Sequence, residues 1–211
     1  MTRALDAVDH LLLGVPDLDA GIAWVEERTG VRAAVGGSHP GRGTRNALLA
    51  LTKRQYLEII APDPAQQPQA QSGLADLGSP MLVKWAAVTT DIAGVADRVR
   101  AAGLEASAPR PGARHRPDGS RLEWTTLALP STFAKGEIDP LPFFIQWSAT
   151  TPHPSLDAPP GGELLSLEFE HTDAESLRQA LSRIGIDATV RDAERVRLVA
   201  TLKTPRGTVT L

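Results

Sequence analysis

The stretch from Gly36 to Pro62 reads GGSHPGRGTRNALLALTKRQYLEIIAP. A Gly/Pro-rich loop carrying His39 leads into two apolar runs, Asn46 to Leu51 and Tyr56 to Ile60. The polar turn from Thr52 to Gln55 between them is short enough to join antiparallel strands in a hairpin. Strand side chains alternate, so Tyr56, Glu58 and Ile60 share one face and Leu57 and Ile59 the other. A carboxylate between Tyr56 and Ile60 is costly to bury without a partner. Glu58 is therefore expected either at a wet rim or lining a polar cavity with a counter-charge.

Working outward, the hairpin closes a longer unit. Residues 7–15, AVDHLLLGV, read as a strand ended by Pro16, with His10 on the face of Val8 and Leu12. Asp17 is a good helix N-cap. Leu18, Ile22 and Val25 then recur at helical spacing, and Gly30 marks the end. A short strand near Val31 to Val35 precedes the hairpin. The order strand, helix, three strands then restarts after a Pro/Gln/Ala-rich linker over residues 61–80. Leu82 to Thr89 is the second first strand, Asp91 caps a helix carrying Ile92, Val95, Val99 and Ala102, and Gly103 ends it. Asp17 and Asp91 lie 74 positions apart, an internal repeat. A basic loop from Pro109 to Arg121 and strands at Leu122 to Leu129 and Phe143 to Trp147 complete the second unit. In this register Gln146 takes the place of Glu58. After a Pro-rich stretch, Thr150 to Gly162, a shorter third copy begins. Leu165, Leu167 and Phe169 are read as inward-facing, Thr172 and Glu175 as a capping box, and Leu177, Leu181 and Ile184 as the helix face before Gly185.

Composition narrows the function classes. The chain has 211 residues, 42% of them apolar, and a net charge of -3. No basic run favours nucleic acid. With no cysteine, disulfides, thiol nucleophiles and thiolate metal sites are excluded. No segment reaches the roughly 18 apolar residues of a membrane helix, and the N-terminus does not read as a signal peptide. The expectation is a cytoplasmic protein that binds a small-molecule ligand, with no nucleic-acid or membrane partner; a homodimer is left open.

Strand–helix–three-strand units in tandem leave bare sheet faces that can curl around a shared cleft. This pattern resembles the vicinal oxygen chelate (glyoxalase/bleomycin resistance/dioxygenase) superfamily, built of paired βαβββ modules. The glyoxalase-like branch is the most similar, through Asp9 and His10, then Gly36, Gly37, His39, Pro40, Gly41, Gly43, Thr44 and Asn46, then Tyr56, Leu57 and Glu58. The likeness runs on through Arg116 to Gly119, Trp124, Pro142 to Trp147, and His153 with Pro154. It implies an α+β fold of paired βαβββ modules with curled mixed sheets around a cleft, residues 1–148 with modules 7–62 and 80–148. A third partial module over 162–211 is expected to pack on the same body.

The resemblance also implies a site. In metal-dependent members each module supplies one ligand from its first strand and one from its last, and the ion acts as a Lewis acid toward neighbouring substrate oxygens. Carried over, His10 and Glu58 come from the first module. The second departs from the pattern, with Lys84 or Trp85 on its first strand and Gln146 on its last. His10, Glu58 and Gln146 are thus the candidate metal ligands, and a divalent ion (Zn, Ni, Fe, Mn or Mg) and a metal-free site are left equally open. His10 and Glu58 are the catalytic candidates, with Glu58 as base or ligand; His39, Asn46, Arg116, Trp124 and Gln146 are the candidate substrate contacts. The arginines of the basic loop read either as a solvated face or as a clamp for an anion. Three functions follow: a glyoxalase-like lyase or isomerase acting on a small oxygenated substrate, a non-catalytic small-molecule binder on the same fold, or a scaffold whose third module covers the cleft.

Overall fold

The computed structural model describes residues 1–52, 54–66, 73–115 and 119–211. The first unit begins with β2 (Val8–Gly14), preceded by β1 (Thr2–Arg3) and the short helix α1 (Ala4–Ala7). It continues with α2 (Leu18–Thr29), β3 (Ala34–His39), β4 (Thr44–Leu51) and β5 (Gln55–Pro62). The side chain of Asp17 accepts the Ala20 N–H at 2.8 Å, and Gly30 ends α2 in the left-handed region at φ 79°. The hairpin pairs as expected, with Leu48 opposite Glu58 and Ala50 opposite Tyr56. His39 sits at the end of a strand rather than in a loop, because β3 runs later than the sequence pattern suggested and pairs along β4 up to Thr44.

The second unit comprises β6 (Met81–Val88), α3 (Ile92–Ala101), β7 (Arg110–His115), β8 (Arg121–Leu127) and β9 (Phe143–Trp147). The stretch read as a basic loop holds β7, an edge strand antiparallel to β8 from Arg110 opposite Thr126 to His115 opposite Arg121. Arginine and proline mask this strand in the sequence, because both suit an edge.

In both units the first strand pairs parallel with the last, β2 with β5 and β6 with β9. The two first strands pair antiparallel, with His10 opposite Ala86 and Leu12 opposite Lys84. These reciprocal pairs define a pseudo-twofold axis between β2 and β6. Among the described residues the strands of these two units and others from the third unit form one mixed sheet of 12 strands. Its inner face carries His10, Leu12, Tyr56, Glu58 and Ile60 around a cleft. On its outer face Leu11, Leu13, Leu57 and Ile59 are buried in the same apolar cluster as Leu18, Ile22 and Val25 of α2. Burying each such side chain contributes about 1.5–3 kcal/mol.

The third unit consists of β10 (Pro160–His171), α4 (Ala174–Arg183), β11 (Ile186–Asp187), β12 (Thr189–Asp192), β13 (Arg197–Thr204) and β14 (Gly207–Thr210). It keeps the element order but pairs differently, with β10 between β12 and β13. β10 joins the main sheet beside β4, and β1 pairs with β11. Phe169 and Trp85, both fully buried, meet at 5.7 Å on the outer face of β6. Two readings are corrected here. A bulge between Leu164 and Ser166 turns Leu164 inward and leaves Leu165 41% exposed. The cap of α4 is Asp173, which accepts the Ser176 N–H, not Thr172.

Candidate functional site

Glu58 lies on the cleft floor, 6% exposed. Asn46 Nδ2 donates to Glu58 Oε1 at 2.7 Å. His10 Nε2 is 3.4 Å from Oε2 and His39 Nε2 is 3.6 Å from Oε1. Three strands of the first unit thus converge on one carboxylate. Burial alone would raise the Glu58 pKa, but the neighbouring His39 and His10, the Asn46 hydrogen bond and Arg114 outweigh it and hold the group below its ordinary value. It is an ionised acceptor at neutral pH.

His39 is oriented by its neighbours. Its Nδ1 lies 2.9 Å from Thr44 Oγ1, and its Nε2 lies 3.2 Å from Asn46 Nδ2. An amide N–H donates, so Nε2 accepts and the proton sits on Nδ1. Burial pushes the His39 pKa down; Glu58 opposes this, and Arg114, Arg42 and His10 reinforce it. The Gly36 backbone passes so close to Asn46 that an added Cβ would lie 2.3 Å from Asn46 Oδ1. This is a physical reason for glycine at the first position of the quoted stretch.

Behind His10 stands a carboxylate that the pattern marked but no candidate list included. The β2–β6 ladder shifts register between Val8 and His10. There the neighbours Asp9 and His10 meet through their side chains, Oδ1 to Nδ1 at 2.7 Å. Asp9 Oδ2 also accepts the Trp147 indole N–H at 2.9 Å and lies 3.2 Å from His153 Nε2. Burial would raise the Asp9 pKa, but the hydrogen bonds from His10 and His153, with their charges, hold it far below the usual carboxylate range. The ring of Tyr56 stacks on His10 at 4.5 Å, and burial, with Asp9 and Glu58 nearby, pushes its hydroxyl pKa well up. Asp9 and His153 escaped selection because their partners come from segments more than 130 residues apart in the chain.

The opposite wall is chemically different. Trp124, Phe143, Ile145 and Trp147 line it, with Lys84 at its foot. The open cleft has a volume of about 580 Å³. Arg114 Nη1 on β7 donates to Gly36 O on β3 at 2.6 Å, so the outer edges of the two units touch over the cleft. Gln146 is not in this face. Its Oε1 accepts the Ile92 N–H at 2.9 Å and caps the start of α3 on the other side of the sheet. The sequence register was three residues out, since Phe143 holds the place equivalent to Glu58, and with a side-chain period of two an odd slip reverses the face. Arg116 lies outside the described residues.

The four-ligand metal set implied by the resemblance does not fit. The second wall offers Lys84, engaged in an ion pair with Asp139, and apolar rings. Among the described residues no group of three or more His, Asp or Glu is arranged to hold a metal ion. No helix among them is long and apolar enough to cross a membrane.

Residues 8–185 match a family described as a glyoxalase-like domain. No curated protein matches the sequence. A hypothetical protein from Staphylococcus aureus superimposes with a TM-score of 0.71 at 14% identity, over 96% of this chain and 97% of that one. The shared fold therefore extends through the third unit. Methylmalonyl-CoA epimerase from Mycobacterium tuberculosis superimposes with a TM-score of 0.45 at 22% identity, over 70% of this chain and 90% of that one. A hypothetical protein, BH1468, from Bacillus halodurans C-125 does so at 0.49 and 17%, over 69% and 95%.

Proposed function

We propose, for a chain that belongs to the glyoxalase-like domain family of the vicinal oxygen chelate superfamily, that the cleft binds a small oxygenated substrate. Glu58 is then the general base of a lyase- or isomerase-type reaction. The observation that carries this reading is a buried, ionised carboxylate that lines the open cleft. A base must reach the proton it abstracts and be ionised at working pH; a place on the cleft lining and a lowered pKa support Glu58 in that part. It removes a proton from the carbon next to a carbonyl, and the electron pair moves onto the carbonyl oxygen. The proton on Glu58 is later returned to carbon. Asn46 holds the base in place, and His10, fixed by Asp9, lies against its second oxygen.

A second reading is a binding protein on the same fold. It is favoured by the contacts that hold Glu58 below its ordinary pKa, because a weaker base is a poorer proton acceptor. One experiment separates the two. A panel of small 2-hydroxy and 2-oxo carbonyl compounds is incubated with the protein in deuterated water, and exchange of the carbon-bound proton is followed by NMR. Under the catalytic reading, exchange occurs and Glu58→Gln lowers it about 10²–10⁴-fold, with at most a small loss of thermal stability. Saturable binding to the wild-type protein without exchange supports the binder. Unchanged exchange in the variant, with stability reduced by several kcal/mol as when a buried pair is broken, makes Glu58 structural.

A further inference from the structure

We infer that Lys84 is the oxyanion-holding group of the cleft, and that the substrate is a small anionic carbonyl compound bound without a divalent ion. The inference rests on Glu58 acting as base. Three observations lead to it. Leu12 pairs with Glu58 on one side and with Lys84 on the other. The Cα atoms of Glu58 and Lys84 are therefore about 10 Å apart along one row of the sheet, on the face that lines the cleft. A planar ligand of a few atoms fits between side chains that stand on those two positions of the cleft face. Second, the reciprocal pairs His10 with Ala86 and Leu12 with Lys84 make Lys84 the pseudo-twofold mate of His10. The two equivalent positions carry an imidazole beside the base and a flexible cation across from it. Third, the charge around the cavity is one-sided. Among its described lining residues Glu58 is the one acidic side chain, against Arg42, Lys84 and Arg114.

Asp139 fits this role as an anchor. Its Oδ2 accepts from Lys84 Nζ, while its Oδ1 accepts the Leu141 N–H at 3.1 Å. An ammonium has three N–H donors. The bond to Asp139 uses one and fixes the stem, which leaves donors for a ligand. In the reaction Glu58 takes the proton, the C–H electron pair becomes the carbon–carbon double bond of an enolate, and the oxygen that gains the negative charge lies against Nζ. Return of the proton from Glu58 to carbon restores the carbonyl, so no oxidant or second reactant is needed. A cation held beside the carbonyl oxygen favours the negative charge that develops there over the uncharged carbonyl of the ground state.

Oxalate, a planar dianion with neighbouring oxygens, is the probe. Its binding to chelator-treated protein is measured by calorimetry for the wild type, for Lys84→Arg, for Glu58→Gln and for Lys84→Met combined with Asp139→Asn. The paired change leaves no unpartnered charge behind, and circular dichroism checks its fold. The wild type binds without added metal, the paired variant about tenfold or more weaker. Lys84→Arg keeps the charge and most of the affinity, and Glu58→Gln binds at least as tightly because a repelling carboxylate is gone. Equal affinity in the paired variant, binding that needs a divalent ion, or no binding by the wild type overturns the inference. Oxalate binding that ignores Lys84, alongside proton exchange that needs Glu58, overturns the lysine's role alone. Lys84-dependent binding with exchange indifferent to Glu58→Gln overturns the base alone.

Discussion

The two walls of the cleft are built on the same sequence of elements and share almost no chemistry. On the first, β2, β3, β4 and β5 bring His10, His39, Asn46 and Glu58 together. On the second, β6, β8 and β9 present Lys84, Trp124, Phe143 and Trp147. The pairing makes the contrast specific. Leu12, opposite Glu58 on β5, has Ala86 as its pseudo-twofold mate, and Ala86 lies opposite Phe143 on β9. A phenyl ring thus stands where the first wall carries its carboxylate. Topology repeats because it is set by apolar periodicity and turn positions, which tolerate many residues. Chemistry does not repeat, because one side chain at one register position decides it.

The sharpest way to break the contrast is at the carboxylate beneath the first wall. Asp9→Ala strands His10, His153 and the Trp147 indole in a buried site. The expected loss is about 3–5 kcal/mol, the usual effect of removing one partner of a buried charged set, read as a shift in the urea midpoint. On the other wall, Phe143→Ala removes a half-buried ring that faces open space. Its expected loss is about 1–2 kcal/mol, below that of a fully packed phenylalanine. Equal losses at both positions would remove the claim that the first wall is held by a polar network and the second by simple contact.

These expectations show where the sequence was legible. The hairpin, its turn and the facing of Tyr56, Glu58 and Ile60 were readable because strand alternation is local. Helices α2, α3 and α4 were readable from apolar spacing, and the Asp17, Asp91 and Gly30 boundaries from capping chemistry. Asn46 and His39 were reachable from the Gly-rich motif. What failed was long-range or depended on parity. Gln146 was assigned to the cleft by a register three residues out. Leu165 was assigned inward because a bulge cannot be seen in a period-two pattern. Asp9 appeared as half of a motif, yet its work depends on Trp147 and His153 from the far end of the second unit. The order of β12, β10 and β13 in the third unit is a matter of strand pairing, which no single segment records.

Gln146 offers a milder test of the same register. Gln146→Ala removes the acceptor for the Ile92 N–H at the start of α3. One such bond contributes about 0.5–1.5 kcal/mol, so a stability loss of that size is expected, measured by denaturant titration. Oxalate affinity should not move, because the side chain lies across the sheet from the cavity. A loss of affinity without a loss of stability would return Gln146 to the ligand face and reverse the assignment of Phe143.

The smallest expected effect is a pH dependence that arises on the first wall. Asp9 and Glu58 have folded pKa values below their ordinary ones, despite burial, because of His10, His153, His39 and Asn46. For such carboxylates the unfolded chain binds more protons in acid. Their contribution to stability is therefore present above the unfolded values of about 4 and is lost as pH falls through the folded ones. His39 is also lowered, by burial first, but as a base it is held in the neutral form. The unfolded imidazole takes up a proton below about 6.5 while the folded one resists it, so this contribution too is present above that pH and shrinks on acidification. All three slopes have the same sign: stability rises from acid toward neutrality, with each group contributing at most about 1.4 kcal/mol per pH unit. Urea unfolding across pH 4 to 8 reads it, and comparison with His39→Gln isolates the imidazole. The variant should lose slope just below about pH 6.5, while the Asp9 part of the acid limb, which depends on His10 and His153, stays. An unchanged slope in that window would mean that His39 titrates alike folded and unfolded, and that its ring is wetter than its contacts with Thr44 and Asn46 imply.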